Sequence, residues 1–321
     1  MTLTMAAHIT FPATRGRSEL NLYRVSSVRI EGSWKDFTGR AEITLPRRVK
    51  NFDKFQYEDL FQNGDPVIIR IGYGDGELPV EFAGYLSDVS EGVPVTLRCE
   101  DEMYQLKRGS VSVSSPSITL KKLLQEAAPG YEIDCPDVQF GAVRYANVAP
   151  IAILESIKKE TGLQSYFDGK VLRCGVFYGD QSDMAPVRVL LEKNVVNENL
   201  NKKQVPDKVH IKAISILTSG KKIEVEVGEK GGATIQRTYI NVTDKTELEN
   251  QAKRDLEKYK AKRVDGSITL FGIPCVQHGM KIDLKSEFYK NIEGIFNIDK
   301  VVKTFDESGY RQEVTLGDKA V

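Results

Sequence analysis

The sequence lacks the patterns that mark metal sites and disulfide frameworks. Its four cysteines, at positions 99, 135, 174 and 275, lie far apart and never form a Cys-x-x-Cys pair. Such spacing supports neither zinc ligation nor a disulfide framework, so we expect buried or incidental thiols in a reducing compartment. The chain is therefore predicted to bind no metal.

Patterns that announce catalysis are scarce as well. The three histidines, His8, His210 and His278, stand alone, with no His-x-x-x-His or His-Glu pair. No Gly-x-Ser-x-Gly motif presents a nucleophilic serine. We predict no catalytic, cofactor-binding or metal-binding residue, no cofactor and no enzymatic activity.

The sequence has neither an excess of basic residues nor a long apolar run. Lys+Arg and Asp+Glu each number 45, so the formal net charge is zero. No run of five basic residues suggests a nucleic-acid-binding patch. No apolar run approaches the ~18 residues that span a bilayer, and residues 1–19 lack the basic start and apolar core of a signal peptide. We expect a chain made in the cytosol, without membrane insertion or a classical export signal.

The clearest positive pattern is an antiparallel meander over residues 65–107. Apolar side chains occupy every second position of residues 67–71, as one buried face of a strand requires. The segment Gly72-Tyr73-Gly74-Asp75-Gly76 is typical of a tight reversal, with positive φ expected at Gly76. Two more alternating strands follow at 80–86 and 95–99. Three strands with one apolar face need a second layer or closure into a barrel.

Three features of this first region have alternative interpretations. Glycines 72, 74 and 76 could cradle a phosphate, but no Lys-Ser/Thr follows them, so a hairpin is favoured. The acidic run Glu100-Asp101-Glu102 could hold a cation or act as an acid/base pair, although a solvated strand end is favoured. Trp34, the sole tryptophan, is interpreted as a lid over one barrel end rather than as a ligand-stacking residue.

The remaining sequence divides into a mixed region and a second β-rich region. Ser110–Ser117 has the composition of an exposed connection. Thr119 is predicted to cap a helix that buries Leu120, Leu123, Leu124 and Ala127. Pro150 is predicted to start a second helix, which presents Ile151, Leu154 and Ile157 and stops at Gly162. Asp168-Gly169 predicts a hairpin, and Thr246-Glu247-Leu248-Glu249 a capping box that starts one more helix.

An internal echo links the two β-rich regions. The strand starts Gly64-Asp65-Pro66-Val67 and Gly279-Met280-Lys281-Ile282 correspond, as do Gly84-Tyr85-Leu86 and Gly294-Ile295-Phe296. We predict a mainly β fold with an α+β middle, in which two similar small β-barrel domains flank a small α+β domain. The expected boundaries are 1–107 for the first barrel, 108–182 for the α+β domain, and 183–321 for the second barrel with one inserted helix at about 246–262.

These turns and strands resemble the phage tail baseplate hub proteins, the late-control protein D family, which is related to the hub part of type VI secretion spikes. The resemblance extends over essentially the whole chain and is carried by Gly64-Asp65-Pro66-Val67, Gly72-Tyr73, Phe82-Ala83-Gly84-Tyr85, Cys99-Glu100-Asp101, Leu106-Lys107-Arg108, Thr119-Leu120 and Gly272-Ile273-Pro274. No additional lysozyme-like or spike-like domain fits into this length.

The resemblance implies a structural protein of virion assembly, in a phage, a prophage or a phage-like injection machine with a contractile tail. It implies a homotrimer whose six barrels form a ring between a threefold spike and a sixfold tail tube. The implied partners are the tail spike protein and the tail tube or baseplate proteins, with DNA passing through a central channel without specific binding. The implied location is the tail baseplate of the virion, after synthesis in the bacterial host cytoplasm. The alternative is a tail-tip carbohydrate-active or cell-wall-binding protein, which clearing of a peptidoglycan or polysaccharide zymogram would reveal.

Overall fold

A computed structural model describes residues 4–14, 16–46, 60–74, 76–90, 92–175, 185–203, 208–260 and 263–320. Strands account for 54% and helices for 16%, which confirms the predicted mainly β class. Residues 47–59 lie outside the described part, as does Asp75 of the predicted reversal.

Twenty-one strands and five α-helices are described. The strands of the first half are β1 (Met5–Phe11), β2 (Leu20–Leu22), β3 (Ser27–Ser33), β4 (Arg40–Thr44), β5 (Pro66–Tyr73), β6 (Val80–Ser90), β7 (Thr96–Glu100), β8 (Val111–Thr119), β9 (Glu132–Asp134), β10 (Gln139–Val148), β11 (Gln164–Asp168) and β12 (Val171–Gly175). Those of the second half are β13 (Val187–Leu190), β14 (Val195–Lys203), β15 (Val209–Ile216), β16 (Lys222–Gly228), β17 (Ala233–Ile240), β18 (Arg263–Phe271), β19 (Lys281–Lys285), β20 (Gly294–Asp306) and β21 (Gly309–Lys319). The helices are α1 (Met103–Leu106), α2 (Leu120–Ala127), α3 (Pro150–Thr161), α4 (Leu191–Asn194) and α5 (Lys245–Lys260), with a 3₁₀ turn at Lys290–Ile292.

The chain folds into two compact units. The first comprises Met1–Tyr104, Ala185–Asn199 and Ser267–Leu316, and the second comprises Gln105–Met184, Leu200–Gly266 and Gly317–Val321. This grouping differs from the consecutive division at 107/108 and 182/183, because β15–β17 and α5 join the second unit rather than a second barrel. The three-domain boundaries therefore stay a proposal.

The first unit is built on a 13-stranded sheet in which two meanders are joined edge to edge. Strands β5, β6 and β7 are neighbours in one meander, and β19, β20 and β21 are neighbours in the other. The long strand β20 pairs with β19 at its start and with β3 further on, where Lys300 lies opposite Ser33. The predicted echo is thus visible as two similar strand orders in one sheet. Among the described residues the ladder runs as an open path from β14 to β2, with no pairing that closes a barrel.

Alternation along β5 buries one face, as predicted. Val67, Ile69 and Ile71 are fully buried, in a core shared with Ile9 and Phe11 of β1. The sequence interpretation missed β1, although it pairs antiparallel with β5 over six positions. Its two alanines, Ala6 and Ala7, have low β propensity, so the strand does not stand out before its partner is known.

The reversal between β5 and β6 has a left-handed glycine at Gly74, whose φ is 91°. The prediction placed positive φ at Gly76. A side chain added at Gly76 would meet nothing within 4 Å, and because the preceding Asp75 is outside the described part, that expectation stays untested. A substitution test of this turn therefore belongs at Gly74, where a β-branched residue would be strained.

Close backbone approach makes Gly84 of β6 sensitive to substitution. A Cβ placed on Gly84 would lie 2.1 Å from the backbone oxygen of Glu100 in the adjacent strand β7. We expect Gly84→Ala to lower the free energy of unfolding by about 1 to 3 kcal/mol, because backbone atoms must shift to admit the methyl group. Chemical denaturation measures the effect. Gly175→Ala is the control, since a Cβ there meets nothing within 4 Å; equal losses in both variants would contradict the close approach.

The second unit contains three small sheets covered by helices. Strands β8 and β10 form one, β9, β12 and β11 form another, and β16, β15 and β17 form the third. Helix α5 buries Leu248, Ala252 and Leu256 against Val209 and Ile211 of β15. The β11–β12 hairpin confirms the predicted turn at Asp168-Gly169, with Gly169 at φ 58°, and β15 and β16 form a second antiparallel hairpin.

Helices α2 and α3 agree with the sequence prediction in most respects. Thr119 Oγ1 accepts a hydrogen bond from the Lys122 backbone N–H, so it caps α2. All four predicted apolar residues of α2 are fully buried. In α3, Pro150 starts the helix and Gly162 ends it at φ 74°, but Ile153 rather than Ile151 lies in the core beside Leu154 and Ile157.

Two local predictions in the second unit were wrong in part. Most of the serine-rich segment Ser110–Ser117 is exposed, as predicted, but it is not an irregular connection, because Val111 onward forms β8, which pairs with β10 and buries Val113. Helix α5 starts one residue before the predicted capping box, and Asp244 Oδ1 accepts from the Thr246 backbone N–H at 3.1 Å. A carboxylate at this position satisfies a free N–H group as well as the predicted threonine would.

None of the described helices is long and apolar enough to cross a bilayer.

Candidate functional site

Trp34 and the acidic run Glu100-Asp101-Glu102, two of the features with alternative interpretations, make contacts that stabilise the fold. Trp34 is buried, and its indole Nε1 donates to Asp299 Oδ1 at 3.1 Å across the β3–β20 junction. The acidic run is not a solvated strand end, which corrects that expectation. Asp101 accepts from the backbone N–H groups of Gly39 and Met103, at 2.7 and 2.9 Å, and the buried Glu102 accepts from the Tyr85 hydroxyl at 3.3 Å.

Metal-ligand geometry does not mark a site in the described ranges. No group of three or more His, Cys, Asp or Glu side chains in them could hold a metal ion. A surface depression of about 480 Å³ lies beside the start of α2 and is lined by Thr119, Lys121, Lys122, Gln125, Glu126 and Asp137. The residues that line it are all polar or charged, with both signs of charge present, whereas the residues that line ligand pockets are mostly hydrophobic and aromatic.

The most unusual chemistry in the first unit is a cluster of four side chains, here called the Glu81 cluster: Glu81, Lys303, Tyr310 and Cys275. The Lys303 ammonium pairs with Glu81 Oε2, and the two side chains are 5% and 1% exposed. The Tyr310 hydroxyl donates to Glu81 Oε1 at 3.0 Å. Cys275 Sγ lies 3.2 Å from Lys303 Nζ.

The Glu81 cluster joins the two meanders. Glu81 belongs to β6, whereas Lys303 and Tyr310 belong to β20 and β21. The fully buried Gln312 holds the segment after β18 in place, since its amide donates to the carbonyls of Phe271 and Pro274 at 2.9 and 2.8 Å. Each charged group of the Glu81 cluster therefore has a partner at a junction of the fold.

Burial governs the protonation of the Glu81 cluster. It raises the pKa of the Tyr310 hydroxyl far above its usual range, and the neighbouring Glu81 carboxylate adds to this effect. Burial also raises the pKa of the Cys275 thiol, although the Lys303 ammonium opposes it. Tyrosine and thiol are thus neutral donors at physiological pH, and the arrangement acts as a structural clamp.

Sequence reasoning missed this cluster because its members are distant along the chain. Glu81 and Lys303 are 222 positions apart, and no spacing rule connects residues on different strands of a sheet. The available signal was weak: both lie in strands that the internal echo related to each other.

A second candidate surface is a loop that exposes two aromatic side chains, here called the aromatic loop (residues 286–293). Phe288 is 75% exposed and Tyr289 is 55% exposed. Beneath them the buried Ser286 Oγ accepts from the backbone N–H groups of both residues, at 3.2 and 2.9 Å. Glu293 accepts from the Ser286 N–H at 3.0 Å and from Lys290 Nζ at 3.1 Å.

Helix α4 braces the aromatic loop from below. Glu192 accepts from the Ser286 hydroxyl at 2.5 Å and from the Glu287 backbone N–H at 3.1 Å. The hydrogen bond from Ser286, followed by that from the Glu287 N–H, lowers the pKa of Glu192 to about 2. The loop is therefore pre-ordered, which reduces the entropy lost when exposed aromatic side chains dock on a partner.

Comparisons with known proteins find similarity at the level of structure. No family model and no curated protein matches the sequence. A tail protein from Neisseria meningitidis MC58 is 12% identical, with a TM-score of 0.66 over 97% of this chain and 96% of that one. The 43 kDa tail protein of prophage MuSo2 from Shewanella oneidensis is 14% identical, with a TM-score of 0.64 over 98% of each chain.

A third similar structure comes from a secretion machine. An E. coli component of the type VI secretion system is 10% identical, with a TM-score of 0.55 over 92% of this chain and 73% of that one. At sequence identities this low, the structural similarity shows a common fold and nothing more. The chain therefore has the fold of phage tail proteins, which it shares with a component of the type VI secretion system.

Proposed function

We propose that this chain is a structural component of a phage tail or a phage-like injection machine, and that it acts there as the baseplate hub. The observation that carries the proposal is the match in fold along nearly the full length of a tail protein. The paired charges of the Glu81 cluster favour a mechanical role, since a clamp between two meanders rigidifies the unit that carries them.

The proposed working form is a trimeric ring. Two meanders of similar strand order in each chain give three chains six similar faces. Such a ring matches a sixfold tail tube on one side and a threefold spike on the other. Its partners would be a second and third copy of this chain, the tail spike protein, and tail tube or baseplate proteins. DNA would pass through its centre without specific binding, and its location would be the virion tail after synthesis in the host cytoplasm.

We propose that the aromatic loop contacts a neighbouring copy of this chain in the ring. Phe288 and Tyr289 are large, exposed and held by a braced backbone, which is the profile of an interface anchor. The exposed Lys193 and Glu287 beside them offer charges of both signs at the rim. A rim of mixed charge suits a contact between identical chains of zero net charge.

Removing the two aromatic side chains should weaken assembly and spare the fold. We expect Phe288→Ser with Tyr289→Ser to weaken trimer formation on the order of tenfold or more, because exposed aromatic anchors dominate interface energies. Light scattering over a concentration series, made with the cognate spike present, measures it, and thermal melting of the chain should not change. Val93→Ser removes another exposed apolar side chain, 77% exposed, and serves as the control. Equal assembly of all three proteins would remove the aromatic loop from the interface.

Deletion of the gene tests the proposed function. In the organism that carries it, electron microscopy after induction of particles should find no complete tails, and a plasmid copy should restore them. A Glu81→Gln plasmid copy should restore fewer tails than the parent. Normal tails in the deletion strain would overturn the assignment to a tail.

A further inference from the structure

The Cys275 thiol lies at the solvent side of the Glu81 cluster. Cys275 is exposed, whereas the Lys303 and Glu81 side chains beside it are buried. Sγ is 3.2 Å from Lys303 Nζ, and the Glu81 oxygens are 3.5 and 3.7 Å from Sγ. Residue 275 therefore faces solvent, while an amine and a carboxylate are held against its sulfur from the protein side.

We propose that Cys275 and Lys303 form an oxidation-dependent crosslink in which one oxygen atom bridges Sγ and Nζ. Hydrogen peroxide is the oxidant, and it converts the thiolate form of a cysteine to a sulfenic acid. Because burial raises the pKa of the Cys275 thiol, the reaction proceeds slowly, through a small thiolate fraction. This inference concerns the chain itself and does not depend on the proposed function.

The atoms and electrons of the step balance. Glu81 takes a proton from the Lys303 ammonium with which it is paired, leaving a neutral amine. One peroxide converts the thiol to a sulfenic acid and releases one water. A second peroxide joins the sulfenic oxygen to Nζ, with loss of the O–H proton and one N–H proton, and releases two waters. Sulfur and nitrogen each lose two electrons, and the two peroxide molecules accept all four.

The structure favours this product over the other oxidation states of the thiol. All four cysteines are free thiols, and the side chains in contact with Cys275 Sγ are those of Lys303 and Glu81. Lys303 Nζ is the nitrogen in contact with Sγ, so an oxygen added to the sulfur lies beside it, and the contact with Glu81 holds the lysine there. The crosslink would fix the segment after β18 covalently to β20.

Mass spectrometry of the full chain tests the proposal. After treatment with hydrogen peroxide and proteolysis, we expect a linked peptide pair containing Cys275 and Lys303, heavier than the sum of the two peptides by about 14 Da, for one oxygen gained and two hydrogens lost. A thiol reductant should remove the link. Cys275→Ser and Lys303→Arg should each abolish it, and the arginine keeps the charge opposite Glu81.

Three outcomes would overturn the proposal. One is recovery of Cys275 as sulfinic or sulfonic acid with an unmodified Lys303 peptide. Another is an unoxidised Cys275 while the half-buried Cys135, the internal control, is oxidised. The third is a crystal structure of the oxidised chain with a direct S–N bond, since the isomeric sulfinamide has the same mass. An oxygen between Sγ and Nζ in that structure would establish the bridge.

Discussion

Replacing Glu81 with glutamine is expected to lower the free energy of unfolding by about 3 to 5 kcal/mol, because it leaves the buried Lys303 ammonium without a counter-charge. Both side chains are nearly inaccessible to water, so solvent cannot replace the lost carboxylate. The amide can still accept from the Tyr310 hydroxyl, so the loss reports the ion pair rather than that hydrogen bond. Chemical denaturation followed by circular dichroism measures the change.

Two comparisons isolate the buried pair. Asp88→Asn breaks the contact of Asp88 with Arg98, whose side chains are 52% and 56% exposed, and should cost at most about 1 kcal/mol. Adding Lys303→Met to Glu81→Gln removes the unpaired charge and should recover most of the stability. If Glu81→Gln costs no more than Asp88→Asn, the Glu81 cluster does not clamp the two meanders.

Leu124→Ala is the second substitution with a large expected effect. Leu124 is fully buried in α2, which packs against β8, β9 and α3, so truncation leaves a cavity in the second unit. The expected loss of unfolding free energy is about 2 to 5 kcal/mol. Gln125→Ala changes the exposed face of the same helix and should be nearly neutral. A loss below about 1 kcal/mol for Leu124→Ala would contradict tight packing of α2.

Local rules explain where the sequence predicted the fold well. Alternation identified β5, and helical spacing with a Thr cap identified α2, because both signals lie within a few residues and reflect burial of one face. The same rules failed for β8, because its many serines are typical of a loop although the segment forms one strand of a two-stranded sheet. They also missed β1, whose burial depends on pairing with β5.

Long-range features were beyond those rules. The edge-to-edge joining of the meanders through β20 and β3 depends on residues more than 260 positions apart, such as Lys300 and Glu31, whose side chains form an ion pair. The Glu81 cluster is equally non-local. The aromatic loop was missed because exposure of Phe288 and Tyr289 is set by how Ser286 and Glu192 fold the backbone beneath them. The sequence was therefore sufficient to predict a mainly β fold with a repeated meander. It was not sufficient to predict the Glu81 cluster or the aromatic loop.

The number of chains bound to the cognate spike tests the account most directly. Light scattering of the purified complex should give three copies of this chain for each spike trimer, with the three 35.9 kDa chains adding about 108 kDa to the mass of the spike. The chain alone can be monomeric if the ring closes only on the spike, so the measurement is made with the spike present. A stable dimer, or one copy for each spike trimer, would contradict the proposed symmetry adaptor.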